Sequence, residues 1–379
     1  MDNFGDILED VIVNIFLRLP VKSLLRFKCV CKSWYSIITS SKFIYEHLDM
    51  ALADNRKSRL LVMHHASETS DFFLFTNDQL TTRTHLTIPK KQPCYFTIIG
   101  HCHGLLCLFD YNSELCLWNP ATREIKYIPS SPIPPPPTVH GDEDAEFGFG
   151  FDWKTRDYYK VVKLLRNYYD VENRNNYGYQ VEVYNLSTNS WREIDVNVPF
   201  HGHEMSSPTA YMNGTYYWWV WRIGEEEEEG RIIGVILYFD MSNEQFGTIH
   251  LPKMDFPLNE VKILSLCFTE YDGSLAVIFY VEHENDTWSE LWTMNGHGMA
   301  VTWTKQFSVG RLEGLLHPIG SYNNRILFIN GLNFIIPYDH ETRSVQIAIP
   351  IDPEKRMVHH CGATTVAFYT ESLVFPGWK

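Results

Sequence analysis

The sequence lacks the features that carry a chain into or across a membrane. No uninterrupted apolar run approaches the roughly 18 residues of a membrane-spanning helix. The N-terminus, MDNFGDILED, is acidic, whereas a secretory signal begins with basic residues and continues with an apolar segment. We therefore expect a soluble protein without membrane contact, located in the cytoplasm, with a nuclear location left open.

Cysteine is scarce and shows no paired spacing, with 8 among 379 residues. In a long chain expected to stay in a reducing compartment, free thiols are favoured over disulfides. Cys29 and Cys31 lie two residues apart in a helical stretch, where they do not share a face, and two cysteines make at most half a zinc site. We expect Cys31 on a partner-facing or module-packing surface and Cys29 packed inward.

The clusters HCHGLLC, from His101 to Cys107, and HHC, at 359–361, lack the pair spacings of zinc sites. We interpret the first as part of a strand.

The signatures of common catalytic sites are also missing. There is no phosphate-binding loop, no G-x-S-x-G and no H-E-x-x-H, and the stretch FGFGF at 147–151 has two glycines without the third or the following helix. Carboxylates are so numerous that no acid/base pair stands out. We predict a non-catalytic chain with no metal and no cofactor.

Positive charge is in short supply: 46 acidic against 32 basic residues give a net charge of −14. Nucleic-acid binding requires a basic surface, so this balance argues against it. Residues 1–50 contain equal numbers of acidic and basic side chains, so the whole excess lies in the remainder of the chain. A partner of that remainder is expected to be basic.

What is present at the N-terminus is a helical pattern. Over residues 7–19 the apolar side chains form helical rows, one of Ile7, Val11 and Ile15 and another of Leu8, Ile12 and Phe16. We predict that Asp6, with Glu9, caps this helix. Pro20 ends it and starts the next; short helices around Trp34 and after Ser40 or Ser41 follow.

This module is more apolar than a domain of about 45 residues can bury alone. Either the rest of the chain or a partner protein must cover the excess. Residues 7–48 resemble an F-box, the helical module that binds the Skp-type adaptor of cullin-based ubiquitin ligases. The resemblance is carried by the Leu19-Pro20 pair, by SLL at 23–25, by Phe27 and by VCKSW at 30–34. It implies adaptor contacts from Leu8, Ile12, Ile15, Leu19, Pro20, Leu24, Leu25, Phe27, Val30, Cys31 and Trp34.

The remaining chain changes from helical to alternating periodicity and repeats one signature. Apolar alternation leads to an aromatic residue, then to a turn that contains Asn or Asp. The aromatic anchors are Phe75, Trp118, Tyr184, Phe239, Trp292 and Tyr338, at successive spacings of 43, 66, 55, 53 and 46 residues. Repeats of about 40 to 50 residues with several strands each are typical of propeller blades. We predict about six blades, with a last strand at 364–369 that pairs with the first blade and closes the ring.

This region is similar to the F-box-associated, kelch-like domain of plant F-box proteins, through WNPATR at 118–123, FGFGFDWKTRDYYKVVKL at 147–164 and VAFYTESLVF at 366–375. The resemblance implies a small all-α F-box module (1–50), a linker (51–58) and an all-β kelch-like propeller (59–379). The whole chain looks most like the plant S-locus F-box proteins. That likeness implies an SCF-type substrate receptor, linked through its adaptor to cullin and the ring-finger subunit, which recognises basic S-ribonucleases (S-RNases) for ubiquitination in pollen self-incompatibility.

Two alternatives stay open. The client is another plant protein, or the propeller is an enzyme or a glycan-binding module. For client binding we predict residues in three loop insertions, because inserted loops on a rigid scaffold usually carry the binding residues. These residues are Glu225, Glu226, Glu227, Glu228, Glu229, Asp142, Glu143, Asp144, Tyr169 and Asp170.

Overall fold

The computed structural model describes most of the chain. The described residues are 3–53, 59–66, 69–77, 79–89, 95–110, 114–137, 145–152, 154, 159–168, 177–199, 204–223, 232–253, 262–283, 286–296, 300–312, 315–351 and 364–374.

Four helices form the N-terminal module: α1 (Asn3–Phe16), α2 (Val21–Phe27), α3 (Lys32–Thr39) and α4 (Ser41–Leu52). Helix α1 begins at Asn3, so Asp6 lies inside it and the prediction that Asp6 is its cap is wrong. Pro20 is the N-cap of α2, and its carbonyl accepts from the N–H groups of Ser23 and Leu24 at 2.9 and 3.2 Å. The Ser40 hydroxyl caps α4 by accepting from the Phe43 N–H at 3.3 Å, as predicted.

Twenty-five strands in the described residues form six antiparallel sheets, the blades of a propeller. Blade 1 holds β1 (Arg59–Ala66), β2 (Thr69–Phe75) and β3 (Arg83–Leu86). Blade 2 holds β4 (Phe96–Cys102), β5 (Leu105–Asp110), β6 (Leu115–Asn119) and β7 (Glu124–Tyr127). Blade 3 holds β8 (Ala145–Phe151), β9 (Tyr159–Tyr168), β10 (Tyr177–Asn185) and β11 (Ser190–Ile194).

The second half of the ring repeats this pattern. Blade 4 holds β12 (Glu204–Met212), β13 (Thr215–Ile223), β14 (Ile232–Asp240) and β15 (Gln245–His250). Blade 5 holds β16 (Lys262–Tyr271), β17 (Ser274–His283), β18 (Asp286–Asn295) and β19 (Thr302–Gly310). Blade 6 holds β20 (Leu315–Tyr322), β21 (Arg325–Asn330), β22 (Phe334–Asp339), β23 (Ser344–Val345) and β24 (Ile349–Pro350).

The last strand, β25 (Thr364–Tyr369), closes the ring by pairing with β1, from Arg59 opposite Tyr369 to His64 opposite Thr364. It becomes the innermost strand of blade 1, so the first and last segments of the propeller share one sheet. This pairing covers the edge of β1 that would otherwise be left unpaired. The predicted α-helical module followed by a six-bladed propeller is confirmed.

The repeat signature marks one structural position. All six aromatic anchors lie in the third strand of their blade, counted from the centre, and all are buried. The turn that follows is held by its Asn or Asp. Asp240 Oδ1 accepts from the N–H groups of Ser242 and Asn243 at 2.8 and 2.9 Å, and Asp339 Oδ1 accepts from Glu341 and Thr342 at 3.0 Å each. This is the turn chemistry for which Asn and Asp are favoured.

Two-residue turns join the first and second strands of blades 2, 4, 5 and 6, at 103–104, 213–214, 272–273 and 323–324. Every residue in these turns has positive φ, as in the tight turns of β-hairpins. His103 and Gly104 therefore break HCHGLLC into a hairpin of β4 and β5, and the interpretation as a single strand is wrong. The face of the propeller that carries these turns is called the hairpin face below.

The glycines of FGFGF make room for side chains of the next blade. A Cβ at Gly148 would lie 2.7 Å from Trp218 Cζ2, and one at Gly150 would lie 2.4 Å from the ring of Tyr211. Tyr211 and Trp218 also donate hydrogen bonds to the carbonyls of Phe151 and Phe147, at 2.9 and 3.1 Å. The motif is thus an inter-blade packing device of β8.

Candidate functional site

The helical module has an inner face that is continuous with the propeller core. Its buried side chains share one hydrophobic cluster with residues of blades 2 and 3. The buried side chains of the module in this cluster are Phe16, Val21, Leu24, Ile38, Phe43, Ile44 and Leu48. The rest of the chain therefore covers part of the apolar surface that the module cannot bury alone.

Other positions of the module keep apolar side chains in solvent. Val11 and Ile15, one turn apart on α1, are 51% and 53% exposed, while Phe16 of the neighbouring row is buried. Val30, after α2, is 60% exposed, and Tyr35 on α3 is 55% exposed. We call Val11, Ile15, Val30 and Tyr35 the outer apolar set. The two helical rows of α1 thus serve different surfaces, which explains why this helix is apolar over so much of its circumference.

The predicted adaptor contacts divide by accessibility. Four of them, Ile15, Pro20, Val30 and Cys31, are exposed. Ile12, Leu19, Leu25, Phe27 and Trp34 are half-buried and pack against the shared cluster. Leu24 is fully buried by the chain itself, so it supports the surface from beneath and we remove it from the proposed contacts. Leu8 lies in α1, and its side chain is outside the described part of the structure.

Trp34 holds three helices together. Its ring lies edge-on to Phe16 of α1 at 4.9 Å between centroids and 5.3 Å from Phe27 of α2, and Phe16 and Phe27 are 5.6 Å apart. Such aromatic pairs contribute about 0.5–1.5 kcal/mol each beyond the area they bury. Trp34 therefore organises the module that presents the outer apolar set.

The two neighbouring cysteines have separate environments. The Cys31 sulfur caps α3 by accepting from the Trp34 N–H at 3.5 Å. Cys29 is exposed, so the prediction that it packs inward is wrong. It follows the last turn of α2, where its thiol lies 4.0 Å from the Leu25 carbonyl.

The module sits on the hairpin face of blades 2 and 3. The ring of Tyr45 lies 6.4 Å from that of Phe151, and His47 Nε2 contacts the Leu19 carbonyl at 2.9 Å, which ties α4 to the α1–α2 connection. Burial lowers the pKa of Lys28, and the Glu124 carboxylate of β7 partly offsets this shift.

The segment after β25 fills the junction between module and propeller. Leu373 and Val374 belong to the shared cluster, and Glu371 pairs with Arg59 at the start of β1. The Asn119 amide, at the end of β6, donates to the carbonyls of Ser372 and Val374 at 3.1 and 2.7 Å. The C-terminal segment and the propeller residues that hold it therefore help to orient the module on the propeller.

All ten predicted client-binding residues fall outside the described residues. Strand ends that adjoin them are described, and they lie at the propeller face opposite the hairpin face. These are Ala145, the start of β8; Tyr168 and Tyr177, which pair across β9 and β10; and Ile223 and Ile232, which pair across β13 and β14.

The histidines of HCHGLLC belong to the propeller. Burial lowers the pKa of His101 and of His103 to about 4 each, so both rings are neutral at pH 7. His103 Nδ1 contacts the Tyr159 hydroxyl at 3.2 Å. Among the described residues, no group of three or more His, Cys, Asp or Glu side chains could hold a metal ion. The 359–361 cluster lies outside the described residues. None of the helices in the described part of the chain combines the length and apolarity needed to cross a membrane.

The outer apolar set contains two residues that were not predicted as contacts, Val11 and Tyr35. Val11 shares its helical row with Ile15, so the sequence carried the signal for it. Tyr35 follows Trp34 directly, and only the packing shows that the tryptophan turns inward while the tyrosine stays exposed.

Comparison with protein families now assigns both parts of this architecture. Residues 6–46 match the model of the F-box domain, and residues 56–374 match that of the F-box associated beta propeller domain. The chain belongs to the F-box proteins with an associated propeller. The outer apolar set therefore lies on an F-box, and such domains bind a Skp-type adaptor.

Three relatives of this F-box protein from Arabidopsis thaliana show how far the similarity extends. The F-box/kelch-repeat protein At3g23880 is 28% identical over 327 residues, 82% of this chain and 81% of the relative. The F-box/WD-40 repeat-containing protein 1 is 26% identical over 83% of this chain and 74% of the relative. The F-box protein CPR1 is 25% identical over 79% of this chain and 72% of the relative. Among solved structures, hydrazine synthase of Kuenenia stuttgartiensis matches 84% of this chain and 48% of its own, with a TM-score of 0.43 and 10% identity, which carries no functional argument.

Proposed function

We propose that this protein is the substrate-recognition subunit of an SCF-type (Skp–cullin–F-box) ubiquitin ligase. Residues 1–50 bind the Skp-type adaptor, and through it cullin and the ring-finger subunit; residues 51–58 link the two parts, and the propeller at 59–379 binds a protein client. The protein itself is non-catalytic and acts in the cytoplasm. The observation that carries the proposal is the outer apolar set, which stays exposed on an F-box whose other face is already buried against the propeller.

The client in this proposal is an S-RNase, recognised for ubiquitination in gametophytic self-incompatibility. Two observations support it. The chain resembles the S-locus F-box proteins in overall pattern, and its net charge of −14 lies outside the F-box and favours a basic client. We place client recognition at the face opposite the F-box, through Asp142, Glu143, Asp144, Tyr169, Asp170 and the run Glu225–Glu229.

A reconstituted ligase tests both levels. The full chain is combined with a Skp-type adaptor, cullin and the ring-finger subunit, and ubiquitination of an S-RNase is compared with that of an unrelated protein of the same net charge. Selective modification of the S-RNase supports the whole proposal. If the complex forms but neither protein is ubiquitinated, the ligase role stands and the client is another plant protein. A chain that fails to enter the complex would refute the ligase role itself.

The glutamate run has its own test. Replacing Glu225–Glu229 with a Gly-Ser segment of equal length should slow association with the basic client at low salt, because charge complementarity acts mainly on the encounter rate. An unchanged rate and salt dependence would remove this run from the recognition surface.

A further inference from the structure

The channel through the middle of the propeller contains a cavity of about 270 Å³. Its walls come from β4, β12, β16 and β20 and from the closing strand β25, so it exists only once the ring has closed. Pockets that enclose drug-sized molecules measure roughly 300–1,000 Å³. The cavity is therefore of a size to enclose one long side chain.

One carboxylate dominates the charge of this cavity. Glu270 of β16 lines it and is exposed to it, and none of the described residues pairs with its carboxylate by an ion pair or hydrogen bond. The described lining contains no lysine or arginine. Burial raises the pKa of Glu270, which means that the ionised carboxylate there lacks stabilisation that a nearby positive charge would supply.

The position of Glu270 is fixed by its backbone. The Ser321 hydroxyl donates to the Glu270 carbonyl at 2.6 Å, and the Thr269 and Ser321 hydroxyls lie 3.0 Å apart. Glu270 stands two residues before the hairpin turn of blade 5, and His101 has the same position in blade 2. Glu270 and His101 both line the cavity from strands of different blades.

The remaining lining combines hydrogen-bonding groups with apolar surface. His101 and His317 have pKa values that burial lowers, and a neutral imidazole offers one acceptor nitrogen. Ser265 and Thr365 add hydroxyl oxygens. Ile98, Met212 and Phe268 supply apolar wall, which suits the aliphatic stem of a long basic side chain that carries its charge at the tip.

We propose that the central channel is a binding site for one arginine side chain of a protein partner, with the guanidinium group at Glu270 and the methylene stem along the apolar wall. Arginine fits better than lysine because its guanidinium is more weakly hydrated and its five N–H donors can reach dispersed acceptors at once. An anion is disfavoured, since it would face Glu270 without a compensating cation.

The arginine enters from the hairpin face, because Glu270 stands two residues before the hairpin turn of blade 5. This contact is separate from the client residues proposed for the opposite face, and the proposal rests on the receptor role only for the identity of the protein that carries the arginine. Binding to the channel is measured on the full chain alone, without adaptor. If the channel binds no arginine, the proposed adaptor binding is unaffected. If the F-box binds no adaptor, the result for the channel is unaffected.

The test uses two acetylated, amidated tripeptides, Gly-Arg-Gly and its citrulline counterpart, which has nearly the same shape without the charge. Titration calorimetry should show the arginine peptide binding and the citrulline peptide binding at least about tenfold more weakly, since hydrogen bonds to a charged group are among the stronger ones. Equal binding of the two peptides, or no binding of either, would overturn the proposal. Tighter binding of Gly-Lys-Gly would overturn the choice of arginine.

Two variants locate the site. Glu270→Gln should weaken binding of the arginine peptide by about tenfold or more. Glu193→Gln makes the same charge change on the exposed outer strand β11 and should leave this binding unchanged. Thermal melting checks that both variants retain the fold. Full binding by Glu270→Gln would refute the site even if the arginine peptide binds.

Discussion

The side-chain amide of Asn119 donates a 2.7 Å hydrogen bond to the carbonyl of Val374, 255 residues further along the chain. Asn119 is fully buried at the end of β6, and its amide also holds Ser372. Its Oδ1 accepts from the Ala121 N–H at 2.9 Å within the following turn. The side chain of Asn119 therefore accepts a hydrogen bond from the turn after β6 and also holds the C-terminal segment on which the F-box packs.

We expect Asn119→Ala to destabilise the protein by about 2–4 kcal/mol, because two buried carbonyls and a turn N–H lose their partner. Guanidinium unfolding measures this change, and limited proteolysis should show faster cleavage after residue 370. The control is Asn295→Ala, which ends the third strand of blade 5 at an exposed position and should change stability by less than about 0.5 kcal/mol. Equal effects at the two positions would contradict the assigned role of Asn119.

The outer apolar set gives a prediction about adaptor binding. Val11→Glu combined with Ile15→Glu should abolish co-purification with a Skp-type adaptor, because each change places a charge in a surface that must be desolvated on binding. Thermal stability should remain near that of the parent, since both residues are already in solvent.

The matched control is Ile347→Glu, at an 87% exposed apolar residue of blade 6. It should leave adaptor binding unchanged. Leu24→Ala tests a residue that stabilises the module without contacting the adaptor. It should lower the free energy of unfolding by about 2–5 kcal/mol, because it opens a cavity in the module. If the double glutamate variant still bound the adaptor with full affinity, the binding surface would lie elsewhere on the F-box.

The glycines of β8 predict a packing effect between blades. Gly150→Ala should cost about 1–3 kcal/mol, because its Cβ would overlap the Tyr211 ring, which is held in place by its bond to Phe151. Gly331→Ala has open space around its Cβ and should be neutral or slightly stabilising. Chemical unfolding of the two variants compares them directly. A neutral Gly150→Ala would show that the blades tolerate a wider separation here.

His103 predicts a pH dependence of stability. Its pKa is lowered by burial from 6.5 to about 4, so the unfolded chain binds a proton that the folded chain does not. The stabilising contribution is complete above pH 6.5 and is lost as the pH falls toward 4. Each such histidine contributes a slope of up to about 1.4 kcal/mol per pH unit in that window.

Unfolding measured between pH 7 and pH 4.5 should therefore show a smaller loss of stability in His103→Asn than in the parent protein. Asparagine accepts the positive φ that this turn requires. His250→Asn, an exposed control on β15, should retain the parent slope. An identical slope in all three proteins would rule out His103 as a source of the pH dependence.

Much of the fold could be predicted because it depends on local chemistry. The spacing of the aromatic anchors predicted one repeat for each of the six blades, since each blade needs a large buried side chain before an Asn or Asp turn. Pairing of 364–369 with the first blade followed from the need to close the ring. The apolar rows predicted α1, Pro20 predicted the start of α2, and Ser40 predicted the start of α4.

Other features depend on contacts between distant segments and could not be predicted from local patterns. Asp6 and Glu9 look like a cap, yet α1 begins three residues earlier, at Asn3. Cys29 resembles a small core residue, but it is exposed after α2, while Phe16, Phe27 and Trp34 pack against one another. FGFGF carries no sign that Trp218 and Tyr211, some 60 residues later, occupy the space its glycines leave.

The sequence by itself determined the element types, the six-fold repeat and the excess of apolar surface on the F-box, because these follow from periodicity and turn chemistry within short segments. Only the tertiary structure decided which apolar row of α1 stays exposed, and that Asn119 and the C-terminal segment hold the F-box on blades 2 and 3. It also decided that Glu270 lines the central cavity, since ring closure brings together side chains that are far apart in the chain.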